Sequence, residues 1–179
     1  MLLIREAHFE DARSIAVVHV DTWRTTYAGI VPEDALAALS YPQREAFWGE
    51  VLQRLEPRTF VLVADMGAEG VVGFVSGGPE REHDEAYRGE VYAIYIMARY
   101  QRKGLGSALM ISAGKRLLEA DLPSMLVWVL KQNPARRFYG ALGGAQLRSK
   151  LIELGDASLE EIAYAWKDIH QLIRPEQPA

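Results

Sequence analysis

The chain has 179 residues, of which 49% are hydrophobic and 25% charged, enough for one domain with a sizeable core. Its net charge of −4 argues against a broad nucleic-acid-binding surface, and no apolar run reaches membrane-spanning length. The absence of cysteine excludes disulfides, thiol nucleophiles and thiolate metal sites, and the four histidines show no metal-ligand spacing. We therefore predict a protein that needs no metal and has neither nucleic acid nor membrane as a partner.

The first third of the chain is predicted to be mainly helical. Its N-terminus, Met1 to Arg5, is too short and too soon charged for a signal peptide, and together with the lack of cysteine this predicts a cytoplasmic protein. Hydrophobic spacing and helix-breaking residues predict a strand at 2–5 and helices at 10–23, 33–39 and 43–55.

From residue 59 onward, apolar and β-branched runs predict strands alternating with helices. The predicted elements are strands at 59–64 and 71–76 forming a hairpin, a polar loop at 80–88, a strand at 90–97, a helix at 105–120, a strand at 124–130, a helix at 134–142, and strands at 146–154 and 161–167. Gly77-Gly78-Pro79 is expected to end the hairpin. This order predicts one α+β domain over residues 1–170, with a mixed sheet flanked by helices, and a frayed tail over residues 171–179.

The stretch QRKGLG, residues 101–106, lies between a predicted strand and a predicted helix. Gly104 and Gly106 let the backbone approach an anion closely, and the first helical turn presents unpaired N–H groups at the positive end of the helix dipole. Arg102 and Lys103 add positive charge. The stretch therefore predicts a phosphate-binding loop.

Other nucleotide-binding and hydrolase motifs do not fit the sequence. The dinucleotide fingerprint needs a third glycine at the position of Leu109. A P-loop that ends at Gly114-Lys115 needs its first glycine at the same position. Arg116 stands where that P-loop needs Ser or Thr. The chain also has no Gly-x-Ser-x-Gly elbow, so a serine hydrolase is not indicated.

The loop resembles the acyl-CoA loop of the GNAT family of N-acetyltransferases, whose pattern is Gln/Arg-x-x-Gly-x-Gly/Ala. Asn133 to Tyr139 is similar to the family's segment that begins with Asn and ends with Ala-x-x-Phe-Tyr, and Leu142-Gly143 to the Leu-Gly that follows. Val18 to Tyr27 resembles the first helix of many bacterial members. The resemblance covers nearly the whole chain, is strongest over residues 90–144, and implies a mostly antiparallel sheet with acetyl-CoA as the co-substrate.

The resemblance implies a set of cofactor-binding residues. The pyrophosphate is expected at the loop, and the pantetheine arm at backbone groups of the preceding strand, where the family's sheet splays. Asn133 is expected to contact the pantetheine arm or to cap the helix opening at Pro134, and the two roles are compatible. The implied cofactor-binding residues are Ile96, Met97, Gln101, Arg102, Lys103, Gly104, Leu105, Gly106, Ser107 and Asn133.

Amine acetylation needs a proton acceptor for the amine and a proton donor for the departing thiolate. Tyr139 matches the tyrosine that ends the family's Phe-Tyr pair and is the candidate acid, with an aromatic that packs a helix on the sheet as the alternative. Glu90 is the candidate base, with a solvated charge at a strand start as the alternative. Period-two alternation places Glu90, Tyr92, Ile94 and Ile96 on one face of the strand.

The acceptor pocket is predicted to include Trp23, Arg24, Tyr27 and Tyr92. Arg24 is expected either to hold a substrate carboxylate or, as the preferred interpretation, to pair with a neighbouring acid. Trp48 and Trp128 are interpreted as core residues. Gly143-Gly144 departs from the family's Gly-Phe, so the packing beside Tyr139 is expected to differ.

The predicted function is transfer of an acetyl group from acetyl-CoA to a primary amine of a small molecule, by direct attack in a ternary complex. One alternative is an acetyltransferase acting on protein N-termini or lysines, with a peptide acceptor. Another is a non-catalytic acyl-CoA-binding regulatory module on the same fold. The sequence leaves the acceptor and the oligomeric state open, with a homodimer as one arrangement.

Overall fold

The computed structural model describes residues 2–173. Its strands are β1 (Leu3–Glu6), β2 (Phe60–Asp65), β3 (Val71–Pro79), β4 (Gly89–Ile96), β5 (Met125–Leu130), β6 (Ala145–Leu154) and β7 (Ala157–Trp166). Its helices are α1 (Ala12–Thr26), α2 (Glu33–Ala37), α3 (Tyr41–Gln53), α4 (Leu105–Glu119), α5 (Arg136–Ala141) and α6 (His170–Ile173).

The strands form one open sheet in the order β1-β2-β3-β4-β5-β7-β6. Neighbouring strands run antiparallel except β4 and β5, which run parallel. A parallel pair needs a crossover connection, and α4 supplies it. The predicted α+β class with a mixed, mostly antiparallel sheet flanked by helices is confirmed.

Helices cover both faces of the sheet, because the strands alternate between two apolar clusters. On one face, Ile15 of α1 and Trp48 of α3 pack on Phe74 of β3, so the interpretation of Trp48 as a core residue holds. On the other, Leu109 of α4 and Leu172 of α6 belong to the larger cluster. We call these the α1 face and the α4 face.

Strand β3 is longer than predicted, because Gly77, Gly78 and Pro79 continue it instead of ending it. A Cβ atom on Gly77 would lie 2.6 Å from the Glu90 carbonyl oxygen and 2.7 Å from the Phe60 ring. The glycine therefore permits close approach of β4 rather than a turn.

The folded part of the chain extends past the predicted boundary at residue 170. Ile169 and Leu172 are buried, at 0% and 3% exposure, and pack against α4 at Gly114, where a Cβ atom would lie 2.8 Å from Ile169. The expectation of fraying at residues 171–173 is therefore wrong. Residues 174–179, the rest of the predicted tail, lie outside the described residues. No helix within residues 2–173 combines the length and apolarity needed to cross a bilayer.

Candidate active site

Strands β4 and β5 separate after three residue pairs. Their register joins Gly89 to Met125, Glu90 to Leu126 and Val91 to Val127, and the two strands do not pair beyond that point. From Tyr92 onward, β4 leaves β5, and the sheet opens into a gap that connects the α1 face with the α4 face. Backbone groups that a sheet would otherwise pair are free there to bind a ligand.

A β-bulge at the start of this gap changes which side chains share a face. The β3–β4 register skips Tyr92, since Ser76 pairs with Ala93 and Gly77 with Val91. Val91 and Ile94 consequently pack in the same cluster on the α4 face. The predicted alternation, with Glu90, Tyr92, Ile94 and Ile96 on one face, is therefore wrong, because the bulge inserts one residue into the period of two.

The end of β4 offers backbone groups at Ile96 but not at Met97. The Met97 N–H donates to the Val72 carbonyl at 3.0 Å, and its carbonyl accepts from the Tyr100 N–H at 2.8 Å. Alternate residues of a strand direct their amides to opposite sides, so Ile94 and Ile96 face the gap. Both backbone groups of Met97 are thus occupied, contrary to the prediction for it, and Ile94, which was not predicted, faces the gap together with Ile96.

The two glycines of the loop have different structural roles. Gly104 has φ +83° and precedes the first residue of α4, in the left-handed conformation that favours glycine. Gly106 lies in the first turn, where a Cβ atom would come 3.0 Å from the Phe138 ring. Leu105 between them is buried and fixes the loop to the core. The loop, α4 and the Phe138-Tyr139 pair are therefore packed as one unit.

The polar residues of the loop lie at the surface. Residues 101–104 are exposed, and Arg102 has φ +61°. Lys103 lies 5.5 Å from the centroid of the Tyr100 ring, and the Gln101 side chain donates to the Ile96 carbonyl at 2.9 Å. The Ile96 carbonyl that accepts from Gln101 is therefore at the gap as well. Ser107 is half-buried in the first turn of α4, where its N–H has no partner within the helix.

Tyr139 is buried on the α4 face, at 5% exposure, with its ring 5.2 Å from Phe138 and 5.9 Å from Tyr164. Within residues 2–173, no hydrogen bond engages its hydroxyl. Burial raises the pKa of Tyr139 well above its ordinary value, and the charge of Tyr27 adds to the shift. The hydroxyl is therefore a protonated donor at neutral pH.

The missing aromatic after Gly143 is compensated from β7. A Cβ atom on Gly144 would lie 2.7 Å from the Trp166 ring, and the Trp166 indole N–H donates to the Leu142 carbonyl at 2.9 Å. Trp166, at 1% exposure, thus packs at the end of α5 that carries Tyr139. Trp166 therefore anchors this end of the helix.

Asn133 connects the turn after β5 with the end of α1. Its side-chain oxygen accepts from the Ala135 N–H at 2.9 Å, in the turn before α5, and its amide donates to the Tyr27 hydroxyl at 3.3 Å. Asn133 and Tyr27 are both buried, at 6% and 8% exposure. Trp23 packs on Tyr27 with ring centroids 4.9 Å apart. Two predicted acceptor residues are thus joined to a predicted cofactor residue.

Glu90 lies deeper than a solvated charge at a strand start, at 1% exposure. Both its carboxylate oxygens bind Arg81, one at 3.0 Å from Nε and the other at the terminal NH2 group. The Arg81 guanidinium also lies 4.6 Å from the centroid of the Tyr92 ring. Tyr92 donates to the Pro79 carbonyl at 2.7 Å. Glu90 and Tyr92 thus both contact Arg81, and the Glu90 carboxylate is already engaged by it.

Arg24 makes contacts inside the protein in place of the predicted pairing with an acid. It donates to the Leu39 carbonyl at 2.8 Å and lies 5.2 Å from the centroid of the Tyr41 ring. Among residues 2–173, no acidic oxygen lies within the 4.0 Å of a salt bridge to it. Arg24 therefore fastens α1 to the connection between α2 and α3.

Glu161 of β7 is a further carboxylate that the sequence patterns do not single out. It is opposite Leu130 of β5 on the α1 face, and Lys150 of β6 is its partner on the other side. Trp128, interpreted as a core residue, is half-buried on this face with the Lys150 ammonium 4.0 Å from its ring centroid. The run Glu160-Glu161 signals only two strand charges, and the register that places Glu161 opposite Leu130 is not visible in one sequence.

The part of the chain that the structure describes contains no group of three or more His, Asp or Glu side chains arranged to hold a metal ion. The residues around the gap form a different arrangement. It combines a helix N-terminus, an open strand edge, a protonated tyrosine on one face and carboxylates with cations on the other.

Comparisons with known proteins agree with this arrangement. The pattern of the acetyltransferase (GNAT) family matches residues 20–143. The chain is 40% identical over 172 residues to the uncharacterized N-acetyltransferase YuaI of Bacillus subtilis, covering 96% of each chain. It is 35% identical over 105 residues to phosphinothricin N-acetyltransferase of Streptomyces viridochromogenes, covering 57% of this chain and 56% of that protein.

The fold is also that of a solved structure, the acetyltransferase yncA of Salmonella typhimurium with its cofactor acetyl-CoA. The TM-score is 0.69 at 21% identity, covering 100% of this chain and 98% of that one. At this identity the likeness concerns the fold.

Proposed function

The chain belongs to the GNAT family of acetyltransferases, and from that premise we propose that it moves an acetyl group from acetyl-CoA to a primary amine of a small molecule. Family membership confirms the predicted enzyme class and acetyl-CoA as the co-substrate. The acceptor and the individual roles of residues belong to the proposal. The observation that carries it is the gap between β4 and β5, with the loop at residues 101–107 at one end and the Tyr139 hydroxyl on the α4 face.

The cofactor is assigned to the gap and the loop. The N–H groups of the first turn of α4 bind the pyrophosphate, with Gly104 giving the backbone its left-handed turn and Lys103 adding charge. The backbone of Ile94 and Ile96 pairs with the pantetheine amides in place of β5. Asn133 orders the turn on the opposite side of the gap. Each of these groups lies at the gap or has no hydrogen-bond partner within its own helix or strand.

Tyr139 is assigned as the acid. The amine nitrogen attacks the thioester carbonyl carbon, a C–N bond forms, the C–S bond breaks, and the Tyr139 hydroxyl gives its proton to the thiolate. The amine loses two protons overall, one before attack and one from the nitrogen of the tetrahedral intermediate. One of them restores Tyr139, and one is released to solvent. Burial raises the pKa of Tyr139, so its hydroxyl carries a proton at neutral pH, while the same shift makes that proton harder to give.

A small acceptor is supported by the closure of the α1 face. Tyr27 is held by Asn133 and covered by Trp23, and both aromatics pack with the apolar side chains of α2 and β5. A protein acceptor needs an open groove at this place. The phosphinothricin N-acetyltransferase relative is consistent with a small amine.

A screen with acetyl-CoA tests the proposed function. The acceptors are amino acids, linear polyamines, amino sugars, phosphinothricin and peptides with free N-termini, and the readouts are release of free thiol and the mass of the product. Turnover with a small amine and slower turnover with peptides are expected. Preference for peptides would favour protein acetylation, and cofactor binding with no turnover on any acceptor would favour the non-catalytic module.

A further inference from the structure

Glu161 is a half-buried carboxylate on β7, one strand away from the gap, with no polar group bound to it. Across residues 2–173, no N–H or O–H donor forms a hydrogen bond with its side chain, and no cation lies within 4.0 Å. The other acids on this part of the α1 face are engaged. Glu90 binds Arg81, Glu82 binds Lys150, and Asp84 binds Arg148.

The face on which Glu161 lies is fixed by the sheet. Ile162 and Tyr164 pack in the cluster on the α4 face, so Glu161 points to the opposite side. Its partner across the strands, Leu130, packs with Tyr27 and Trp23 on the α1 face. Leu130 also borders the gap, because β4 has already left β5 at that level.

Tyr27 is near enough to both Glu161 and Tyr139 for their charges to act on one another. The charge of Glu161 raises the pKa of Tyr27, after the larger effect of burial, and the charge of Tyr27 raises that of Tyr139. Glu161 and Tyr139 nevertheless lie on opposite faces of the sheet. The proposed transfer needs a proton donor for the thiolate and a proton acceptor for the amine, and these are separate groups here.

We propose that the Glu161 carboxylate binds the ammonium group of the acceptor and accepts its proton before attack. This inference rests on the proposed function and names the base within it. The N–H proton passes to a Glu161 oxygen, the nitrogen lone pair forms the C–N bond, and the thiolate leaves with the proton of Tyr139. Glu90 then keeps Arg81 in place instead of taking the proton.

The surroundings of Glu161 make its carboxylate a stronger base than an ordinary glutamate. Burial is the largest effect and raises the pKa of Glu161 above its ordinary value, while the positive charges of Lys150 and Arg81 oppose the shift. The titratable and charged groups that face it from the packed elements are Tyr27, Arg81, Glu82, Glu90 and Lys150. A carboxylate with a raised pKa holds a proton from an ammonium group better than an ordinary one.

Glu161→Gln tests the proposal, with Glu160→Gln as its matched control. Glu160 is the neighbouring residue on the opposite face and pairs with Lys131 at 2.6 Å. The probes are the fastest amine from the screen and n-butylamine, at saturating acetyl-CoA, with kcat/KM for the amine measured from pH 6 to pH 10.

Glu161→Gln should lower kcat/KM at pH 7 on the order of 10²-fold, and the deficit should shrink towards pH 10, where a free amine of pKa about 10.4 is partly deprotonated without help. Glu160→Gln should follow the wild type at each pH. The role of Glu161 is overturned if the deficit is the same at every pH, or if a variant that melts normally shows no deficit. In either case, turnover by the wild type leaves the proposed function standing.

Glu161→Asp keeps the carboxylate and covers the case in which the glutamine variant does not fold. It should retain activity at pH 7 within about tenfold of the wild type, with a similar pH profile. Loss to the level of the glutamine variant in a folded protein overturns the proposal. Absence of wild-type turnover on every amine contradicts the proposed function, and the base assignment with it.

Discussion

The Asn133 side-chain amide donates a 3.3 Å hydrogen bond to the Tyr27 hydroxyl, across 106 positions of the chain. This bond joins the turn after β5, on the cofactor side, to the end of α1, on the acceptor side. Because the same Asn133 side chain caps the Ala135 N–H, one residue fixes both the start of the segment carrying Tyr139 and the cover of the α1 face. Asn133 and Tyr27 therefore connect the proposed cofactor site with the proposed acceptor site.

Asn133→Ala and Tyr27→Phe should be coupled in stability. Each removes the shared bond, and a buried hydrogen bond contributes about 0.5–1.5 kcal/mol, so the double variant should be less destabilised than the sum of the single variants by about that amount. Denaturant unfolding of all four proteins measures the coupling. Strict additivity would mean that the bond between Asn133 and Tyr27 contributes nothing.

Tyr139→Phe should lower kcat by about 10²-fold while acetyl-CoA binds with nearly unchanged affinity. The change removes one hydroxyl and keeps the ring packed between Phe138 and Tyr164. If the hydroxyl protonates the thiolate, its contribution exists mainly in the transition state. Steady-state kinetics and calorimetry with coenzyme A measure the two effects.

Tyr87→Phe is the matched control for Tyr139→Phe. Tyr87 is equally buried, at 6% exposure, but packs on Leu126 and Ala165 in a separate cluster. It should turn over as the wild type does. Normal kcat in Tyr139→Phe, accompanied by a lower melting temperature, would assign Tyr139 to packing and leave the cofactor site intact.

His19 should make the fold less stable as the pH falls from 7 to 4.5. Burial lowers the pKa of His19 to about 4, and the charge of Arg44 adds to the shift. Below its ordinary pKa of about 6.5 the unfolded chain binds a proton that the folded chain does not, so stability present above pH 6.5 is lost as the pH approaches 4. The full shift corresponds to about 3 kcal/mol.

His19→Asn should flatten this dependence, because asparagine can accept the 3.2 Å hydrogen bond from the Trp48 indole but does not titrate. Unfolding free energies at several pH values measure it. His83→Asn is the control, since His83 is exposed and should leave the slope unchanged. An equal slope in His19→Asn would show that His19 is protonated in the folded protein.

Turnover should survive treatment with a chelator. The described residues hold no set of metal ligands, and the proposed acid and base are side chains that need no metal-bound water. The measurement compares initial rates before and after dialysis against EDTA. Activity that disappears and returns with zinc or magnesium would require a different mechanism.

The sequence predicted the family, the order of elements and the position of the loop well, because these depend on local patterns. Gly104 and Gly106 mark the start of α4, and the apolar alternation marks the strands. The family resemblance and the α+β fold are confirmed. The bulge at Tyr92 was missed because nothing in the run Glu90 to Ile96 breaks the period of two, and the extra residue is set by pairing with β3.

The acceptor side was harder to predict because it depends on contacts between distant elements. The neighbours of Arg24 in the sequence predict that it lies in the acceptor pocket, but its guanidinium donates to the Leu39 carbonyl. The sequence predicts Glu90 as the base but does not show that Arg81, nine residues earlier, binds its carboxylate. Glu161 became visible only when the β5–β7 register placed it opposite Leu130.

Calorimetry with coenzyme A on Gly104→Asp tests the central claim, that the loop at residues 101–107 binds the cofactor. Aspartate tolerates the left-handed conformation better than most residues, and no atom lies within 4 Å of the added Cβ, so the variant should fold. Gly155→Asp, at φ +60° in the β6–β7 turn and equally open, controls for strain and charge. We predict that Gly104→Asp weakens coenzyme A binding by about tenfold or more, through bulk and negative charge beside the pyrophosphate, while Gly155→Asp binds normally. Unchanged affinity in a folded Gly104→Asp would contradict the account.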